Sequence, residues 1–292
     1  MNPDEYLFWD DIHPTTGGDH ELANEANRLL SGQIAPLGKA TNISTRGIVG
    51  TGENVLIAGF TISGKQPKKV IVRALGPTLS TFGVNGALAD PTITIINSSN
   101  VVVTSNDNWR DTQETEIAAS GFAPPNDLES AIIATLAPGS YTAVVNGKNG
   151  GTGIGLVDVN QLDATPSIFS NLSGRGLVGT GENVLIGGLI IGNGEPPVVV
   201  LRAIGPTLSS FGIAHPLQDP TLELRDANGA LIAFDNDWND NTPTGIKATL
   251  LKPTDNRESA IVASLAAGNY TAIVRGKNGT TGVALVQAYR LR

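Results

Sequence analysis

Most of this chain is written twice, and that fact limits what it can fold into more than any other. Trp109 and Trp238 lie 129 residues apart. The same spacing carries Arg46 to Arg175, Arg73 to Arg202, Asp90 to Asp219, Glu129 to Glu258 and Tyr141 to Tyr270. Gly50 to Ile57 and Gly179 to Ile186 both read Gly-Thr-Gly-Glu-Asn-Val-Leu-Ile. Arg73-Ala-Leu-Gly-Pro-Thr-Leu79 returns as Arg202-Ala-Ile-Gly-Pro-Thr-Leu208. A repeat with no gaps requires one fold to be built twice, and 292 residues give each copy enough chain to bury a core. The organisation read from the sequence is an N-terminal segment 1–43, a first repeat 44–163, a linker 164–172 and a second repeat 173–292.

Within a copy the apolar residues come in short, punctuated runs. In the first copy these are 54–62, 69–75, 92–97, 100–105, 129–136, 140–147 and 153–160. Ser140-Tyr-Thr-Ala-Val-Val-Asn146 and Asn269-Tyr-Thr-Ala-Ile-Val-Arg275 are rich in β-branched and aromatic residues. Pro138-Gly139 and Ala267-Gly268 stand where hairpin turns are expected. One short helix is expected, from Glu114 to Gly121, with a counterpart around Pro243 to Leu250. Nothing in a copy supplies the helical layer a parallel sheet needs. The predicted fold is therefore all-β: two tandem antiparallel β-sandwich, jelly-roll-like domains with a short N-terminal helical arm.

Composition narrows the function. Lys and Arg number 19 against 27 Asp and Glu, a net charge of −8, and the only basic pair noted is Lys68-Lys69. Such a surface offers a nucleic-acid backbone nothing to hold. The absence of cysteine excludes disulfides, thiolate metal sites and a Cys nucleophile. No apolar run reaches the length of about 18 residues that a membrane helix needs. Met1-Asn-Pro-Asp-Glu5 has neither the basic nor the apolar region of a signal peptide.

The N-terminal segment reads differently. Leu22, Ala23, Ala26, Leu29 and Leu30 recur at helical spacing; Thr16 is placed to cap that helix and Gly32 to end it. Before it, Phe8-Trp9-Asp10-Asp11-Ile12-His13-Pro14-Thr15 resembles the last conserved block of SGNH (GDSL-type) ester hydrolases. The resemblance covers about thirty residues and implies that Asp10 orients an imidazole and His13 acts as general base, a carboxylate fixing one ring nitrogen while the other takes a proton. The family's Gly-Asp-Ser nucleophile block is absent from this sequence. The segment is thus expected to be a remnant of such an enzyme's C-terminus, or a site that recruits its nucleophile from elsewhere.

Glu129 to Val159 resembles bacterial pre-peptidase C-terminal domains, β-sandwich accessory modules of secreted proteins. That resemblance implies an extracellular or periplasmic location. The repeats carry their own candidate chemistry in two acidic loops. Asp235-Asn-Asp-Trp-Asn-Asp240 gathers Asp235, Asp237 and Asp240, hard oxygen donors of the kind Ca²⁺ prefers; its counterpart Asn106-Asp-Asn-Trp-Arg-Asp111 offers Asp107 and Asp111. The alternative is an Asx-rich turn whose side chains bond local N–H groups. Trp109 and Trp238 read as core anchors or as platforms for a sugar ring. Arg73 and Arg202 lie in apolar strands and need carboxylate partners, with Glu129 and Glu258, or Asp90 and Asp219, as the candidates. Gly147-Lys-Asn-Gly-Gly151 and Gly276-Lys-Asn-Gly-Thr280 read as hairpin tips rather than phosphate loops. The expected function is a Ca²⁺-binding accessory or binding module for a cell-surface glycan, from the C-terminus of an SGNH-type esterase. The alternative is a small Ca²⁺-dependent hydrolase of esters or lactones.

Overall fold

The computed structural model describes residues 37–240, 246–247, 249 and 251–291. The predicted N-terminal arm, with Asp10, His13 and the helix after them, lies outside the described residues.

The first copy supplies strands β1 (Ala40–Val49), β2 (Leu56–Ser63), β3 (Lys68–Leu75), β4 (Pro91–Asn97), β5 (Val102–Asn106), β6 (Ser130–Leu136), β7 (Gly139–Gly147) and β8 (Gly153–Gln161). Two short helices, α1 (Pro77–Thr81) and α2 (Glu114–Ala119), punctuate it. The second copy repeats the series as β9 (Ile168–Val178), β10 (Leu185–Ile191), β11 (Val198–Ile204), β12 (Pro220–Arg225), β13 (Leu231–Asp235), β14 (Ser259–Ser264), β15 (Gly268–Gly276) and β16 (Gly282–Arg290). β1 and β9 begin inside the two segments set apart from the repeats in the sequence, 1–43 and 164–172.

All pairings between these strands are antiparallel. Copy 1 forms the half-sheets β1-β8-β3-β6 and β2-β7-β4-β5; copy 2 forms β9-β16-β11-β14 and β10-β15-β12-β13. This is the eight-stranded jelly-roll order in each copy. It corrects the expected hairpins at Pro138-Gly139 and Gly147-Lys-Asn-Gly-Gly151. β6 and β7 belong to opposite half-sheets, as do β7 and β8, so these turns carry the chain from one layer to the other.

The copies are joined by their edges. β1 pairs with β10 along Ala40 to Arg46, and β9 pairs with β2 along Ile168 to Arg175. The result is two eight-stranded sheets, each with four strands from either copy, linked by one bridge between Ile48 and Leu177. Those two residues are equivalent in the repeat, so the bridge marks a pseudo-two-fold axis. The pairing removes four edges that would otherwise leave rows of unpaired N–H and C=O groups.

Alternation builds the core. In β2, Leu56, Ala58, Phe60 and Ile62 point inward and are buried. They belong to one continuous apolar cluster that also takes in Leu185, Leu189, Val199, Leu201 and Val286 of the second copy. Near the axis the backbones lie too close for two side chains. Thr45 is buried, and its equivalent is Gly174; a Cβ on Gly174 would lie 2.3 Å from Thr45 Oγ1. The two copies have therefore diverged where they meet.

A second layer covers each sheet's outer face. The chain between β5 and β6 packs Trp109 and Ile117 onto Ile71, Ala131 and Ile133. Its counterpart places Trp238 and Ile246 on Val200 and Ala260. Both tryptophans are buried, so they anchor these coverings and present no open ring face to a ligand.

Candidate functional site

The acidic loops lie at the end of β5 and of β13. In copy 1, Asn106 Oδ1 accepts the Ala131 N–H at 3.0 Å and its Nδ2 donates to the Asn108 carbonyl at 2.9 Å. In copy 2 the equivalent Asp235 Oδ2 accepts the Ala260 N–H at 2.8 Å. Burial pushes the Asp235 carboxyl up, the Ala260 N–H opposes that, and the nearby Asp237 and Asp240 charges add to the rise. Asp111 and Asp240 are exposed, and Asp111 accepts Asn108 Nδ2 at 3.3 Å.

Each loop already receives a cation from its own copy. The Gly-Lys-Asn-Gly turn holds Asn149 and Asn278 in the left-handed region, at φ of 54° and 55°, and swings its lysine over the loop. Lys148 Nζ lies 2.7 Å from Asp107 and 3.7 Å from Asp90. Lys277 Nζ lies 3.5 Å from Asp237 and 3.6 Å from Asp219, a looser fit. The Oδ1 atoms of Asp90, Asp107 and Asn108 in one loop, and of Asp219 and Asn236 in the other, are buried without a hydrogen bond. Among the described residues no three acidic or histidine side chains converge as a metal cluster would.

The arginine partners correct the sequence reading. Glu129 and Glu258 do not pair with Arg73 and Arg202; both are fully buried and cap the chain after β3 and β11. Glu129 Oε1 accepts the N–H groups of Gly76 and Thr78 at 3.0 and 2.9 Å, and Oε2 accepts the Thr78 hydroxyl at 2.7 Å. Arg73 instead forks onto Asp158 of β8, its Nε donating at 2.9 Å, and gives Nη1 to the Phe122 carbonyl at 3.0 Å. Burial raises the Asp158 carboxyl and Arg73 works against it.

Copy 2 keeps the arginine bond to the carbonyl of Leu251 and the two N–H bonds to Glu258 Oε1, and changes the rest. Gln287 replaces Asp158 and Tyr289 replaces Asn160. Arg202 donates Nη2 to Gln287 Oε1 at 2.5 Å and to the Tyr289 hydroxyl at 3.0 Å, lies over the Tyr289 ring, and leaves Nε unbonded. Thr254 replaces Pro125 and binds the Thr207 hydroxyl at 2.9 Å. Glu258 Oε2 therefore lacks the hydroxyl that Glu129 enjoys, and stays unbonded. Lys252 replaces Ala123.

Of these altered residues Lys252, Thr254 and Gln287 line a cavity of about 470 Å³ on the outer face where the two copies join. Arg202 and Gln287 face each other across β11 and β16. Arg175, on β9, faces Leu285 on one side and Ile57 of copy 1 on the other. The turn carrying Thr207 and Phe211 and the stretch Lys252-Pro253-Thr254 form the rim, and Glu258 lies in the floor. Burial pushes the Arg175 guanidinium down, with Glu53 opposing, and Arg175 donates no hydrogen bond to any described residue. The volume lies within the range of small-ligand sites, roughly 300–1,000 Å³. Sequence reasoning missed the site, although the signal was present: Gln287 stands where the repeat offset puts Asp158.

No family model matches the chain, and no curated protein matches it. Among solved structures, a DUF4785 family protein from Legionella pneumophila aligns at 11% identity over 89% of this chain and 66% of its own, with a TM-score of 0.27. The M60 catalytic domain with the CBM51-1 and CBM51-2 domains from Clostridium perfringens ZmpB aligns at 6% identity over 80% of this chain and 33% of its own, at 0.21. Alignments this loose carry no argument, and the fold rests on the strand pairings above.

Proposed function

We propose that the chain is an accessory binding module in which copy 1 is the structural half and copy 2 the ligand half. One observation carries this reading. Two copies of one fold keep the same half-buried arginine and buried glutamate, yet copy 2 has exchanged residues that satisfy them, and a cavity lies there. An exchange that served packing alone would close the space. Titration calorimetry of the full chain against sugars and sugar acids, beside a Phe211→Ala, Lys252→Ala variant of the rim, tests it. Binding that the variant loses supports the module; no heat with any ligand counts against it.

The further part of the proposal is that Ca²⁺ stabilises the loops, first at Asp219, Asn236 and Asp237. The unbonded oxygens there and the loose hold of Lys277 support it. A Ca²⁺ ion would replace the ammonium, so a rise in melting temperature with Ca²⁺, abolished in Asp237→Asn, is the expected result. The descent of the arm from an SGNH-type esterase, and an extracellular or periplasmic location, belong to the same proposal and rest on the resemblances. Turnover of a short-chain ester or lactone that disappears in His13→Ala would replace the binding module with the hydrolase alternative.

A further inference from the structure

The cavity of copy 2 carries a charge imbalance that copy 1 does not have. At the equivalent positions copy 1 places Arg46 and Arg73 against Asp158 and Glu129, two cations and two carboxylates. Copy 2 places Arg175, Arg202 and Lys252 against Glu258, with Glu53 of copy 1 acting on Arg175 through its charge, three cations to two carboxylates. The two exchanges, Asp158 to Gln287 and Ala123 to Lys252, move the charge in the same direction. Guanidinium groups drawn out of water normally hydrogen-bond a carboxylate, and half-buried Arg175 feels Glu53 only through its charge.

From this we infer that the cavity takes a hydroxylated carboxylate, the chemistry of a uronic acid. The inference rests on the proposed binding role of this same cavity and names what fills it. Arg175 and Lys252 give no hydrogen bond to a described residue and are free to hold a carboxylate from two sides. Arg202, held by Leu251, Gln287 and Tyr289, supplies charge from behind them. Charge-assisted hydrogen bonds of this kind are about twice as strong as neutral ones.

The hydroxyl requirement comes from the other polar groups. Glu258 Oε2 can only accept, and a carboxylate ligand alone gives it nothing to accept. The Thr207 and Thr254 hydroxyls, bonded to each other at the rim, can turn to a ligand hydroxyl. Ile57, Leu285 and the exposed Phe211 offer the apolar contact that the C–H face of a sugar ring uses. Two sources share this chemistry, a uronic-acid residue of an acidic glycan and a free sugar acid.

Titration calorimetry of the full chain at low salt, with glucuronate, glucose and an oligogalacturonate, tests the inference. The decisive variant is Lys252→Ala, Gln287→Asp, which gives copy 2 the residues copy 1 folds with at those positions. Glucuronate is expected to bind, glucose at least about tenfold more weakly, and the double variant to lose about tenfold or more for glucuronate. If the double variant melts lower than the parent, Lys252→Ala alone, at an exposed position, carries the comparison. Tighter binding of the oligomer than of glucuronate marks a glycan as the source, and equal binding marks a free sugar acid. Equal affinity for glucose and glucuronate overturns the charge inference and leaves the binding module standing. Glucuronate binding untouched in both variants overturns it by placing the site elsewhere. No binding by any of the three overturns both.

Discussion

Position 174 gives the most demanding test of how the two copies are joined. A Cβ built there would meet Thr45 Oγ1 at 2.3 Å, Thr45 Cγ2 at 2.4 Å and Thr45 Cβ at 2.9 Å. Carbon atoms in contact prefer about 3.5–4.0 Å, so the overlap exceeds an ångström, in a strand pinned on both sides by β16 and β2. Overpacking of this kind costs about 1–3 kcal/mol, and replacing a strand glycine returns at most about 1 kcal/mol of backbone entropy. Gly174→Thr, which simply copies the first repeat into the second, is therefore expected to destabilise by about 2 kcal/mol. Thr45→Gly alone is expected to lose about 1–2 kcal/mol, from a buried side chain and a freer backbone.

The informative variant is the exchange, Thr45→Gly with Gly174→Thr. The axis relates the two positions, and Ser44, Gly47 and Leu56 around Thr45 recur as Ser173, Gly176 and Leu185 around Gly174. A threonine at 174 above a glycine at 45 meets nearly the same surroundings, so most of the stability should return. Urea unfolding of the parent, both single variants and the exchange closes a double-mutant cycle, with an expected coupling of about 2 kcal/mol or more. A neutral Gly174→Thr would falsify the close apposition of β1 and β9. An exchange as unstable as the sum of its parts would remove the pseudo-symmetry.

Three further outcomes follow from the same geometry. Arg73→Ala strands Asp158 as an unpaired buried carboxylate and should cost about 3–5 kcal/mol, while Arg202→Ala leaves only the neutral Gln287 and Tyr289 and should cost clearly less; paired urea melts decide it, and equal losses would refute the difference between the copies. Asp235→Asn gives copy 2 the residue that copy 1 uses as Asn106. Because burial and neighbouring charge raise the Asp235 carboxyl when folded, its favourable contribution is complete below the unfolded carboxylate range and disappears as pH rises through the folded value. The variant should therefore melt higher than the parent at pH 7 without Ca²⁺, with the gap closing toward pH 4; a gap that widens on acidification reverses the sign. Residues 40–163 expressed alone should associate, because the edges of β1 and β2 lose their partners, and light scattering after size exclusion would expose a stable monomer as the contrary result.

Much of the architecture could be read without coordinates. The 129-residue repeat and the short apolar runs located seven of the eight strands of each copy to within a few residues, and α2 with them, but not β1 or β9, and the all-β class followed. Trp109 and Trp238 sit in the core, as one of the two readings had it. The candidate site was not legible in the same way. The acidic loops stood out because their oxygen donors are consecutive, whereas the cavity is assembled from β2, β9, β11, β16 and the stretch before β14.

By itself, then, the sequence determined that one β-rich unit is built twice and where most of its strands and turns fall, though not β1 and β9. Alternation states a face and never a neighbour, because every strand offers the same backbone donors and acceptors to whatever lies beside it. So only the tertiary structure decided that Pro138-Gly139 joins two layers rather than two paired strands, and that β1 seeks β10. It also chose Asp158 as the partner of Arg73, 85 residues away, over carboxylates with an equal claim in the sequence. The cavity has the same origin: two exchanges, Gln287 for Asp158 and Lys252 for Ala123, leave excess positive charge only where the fold has brought Arg202, Arg175 and position 252 to one place.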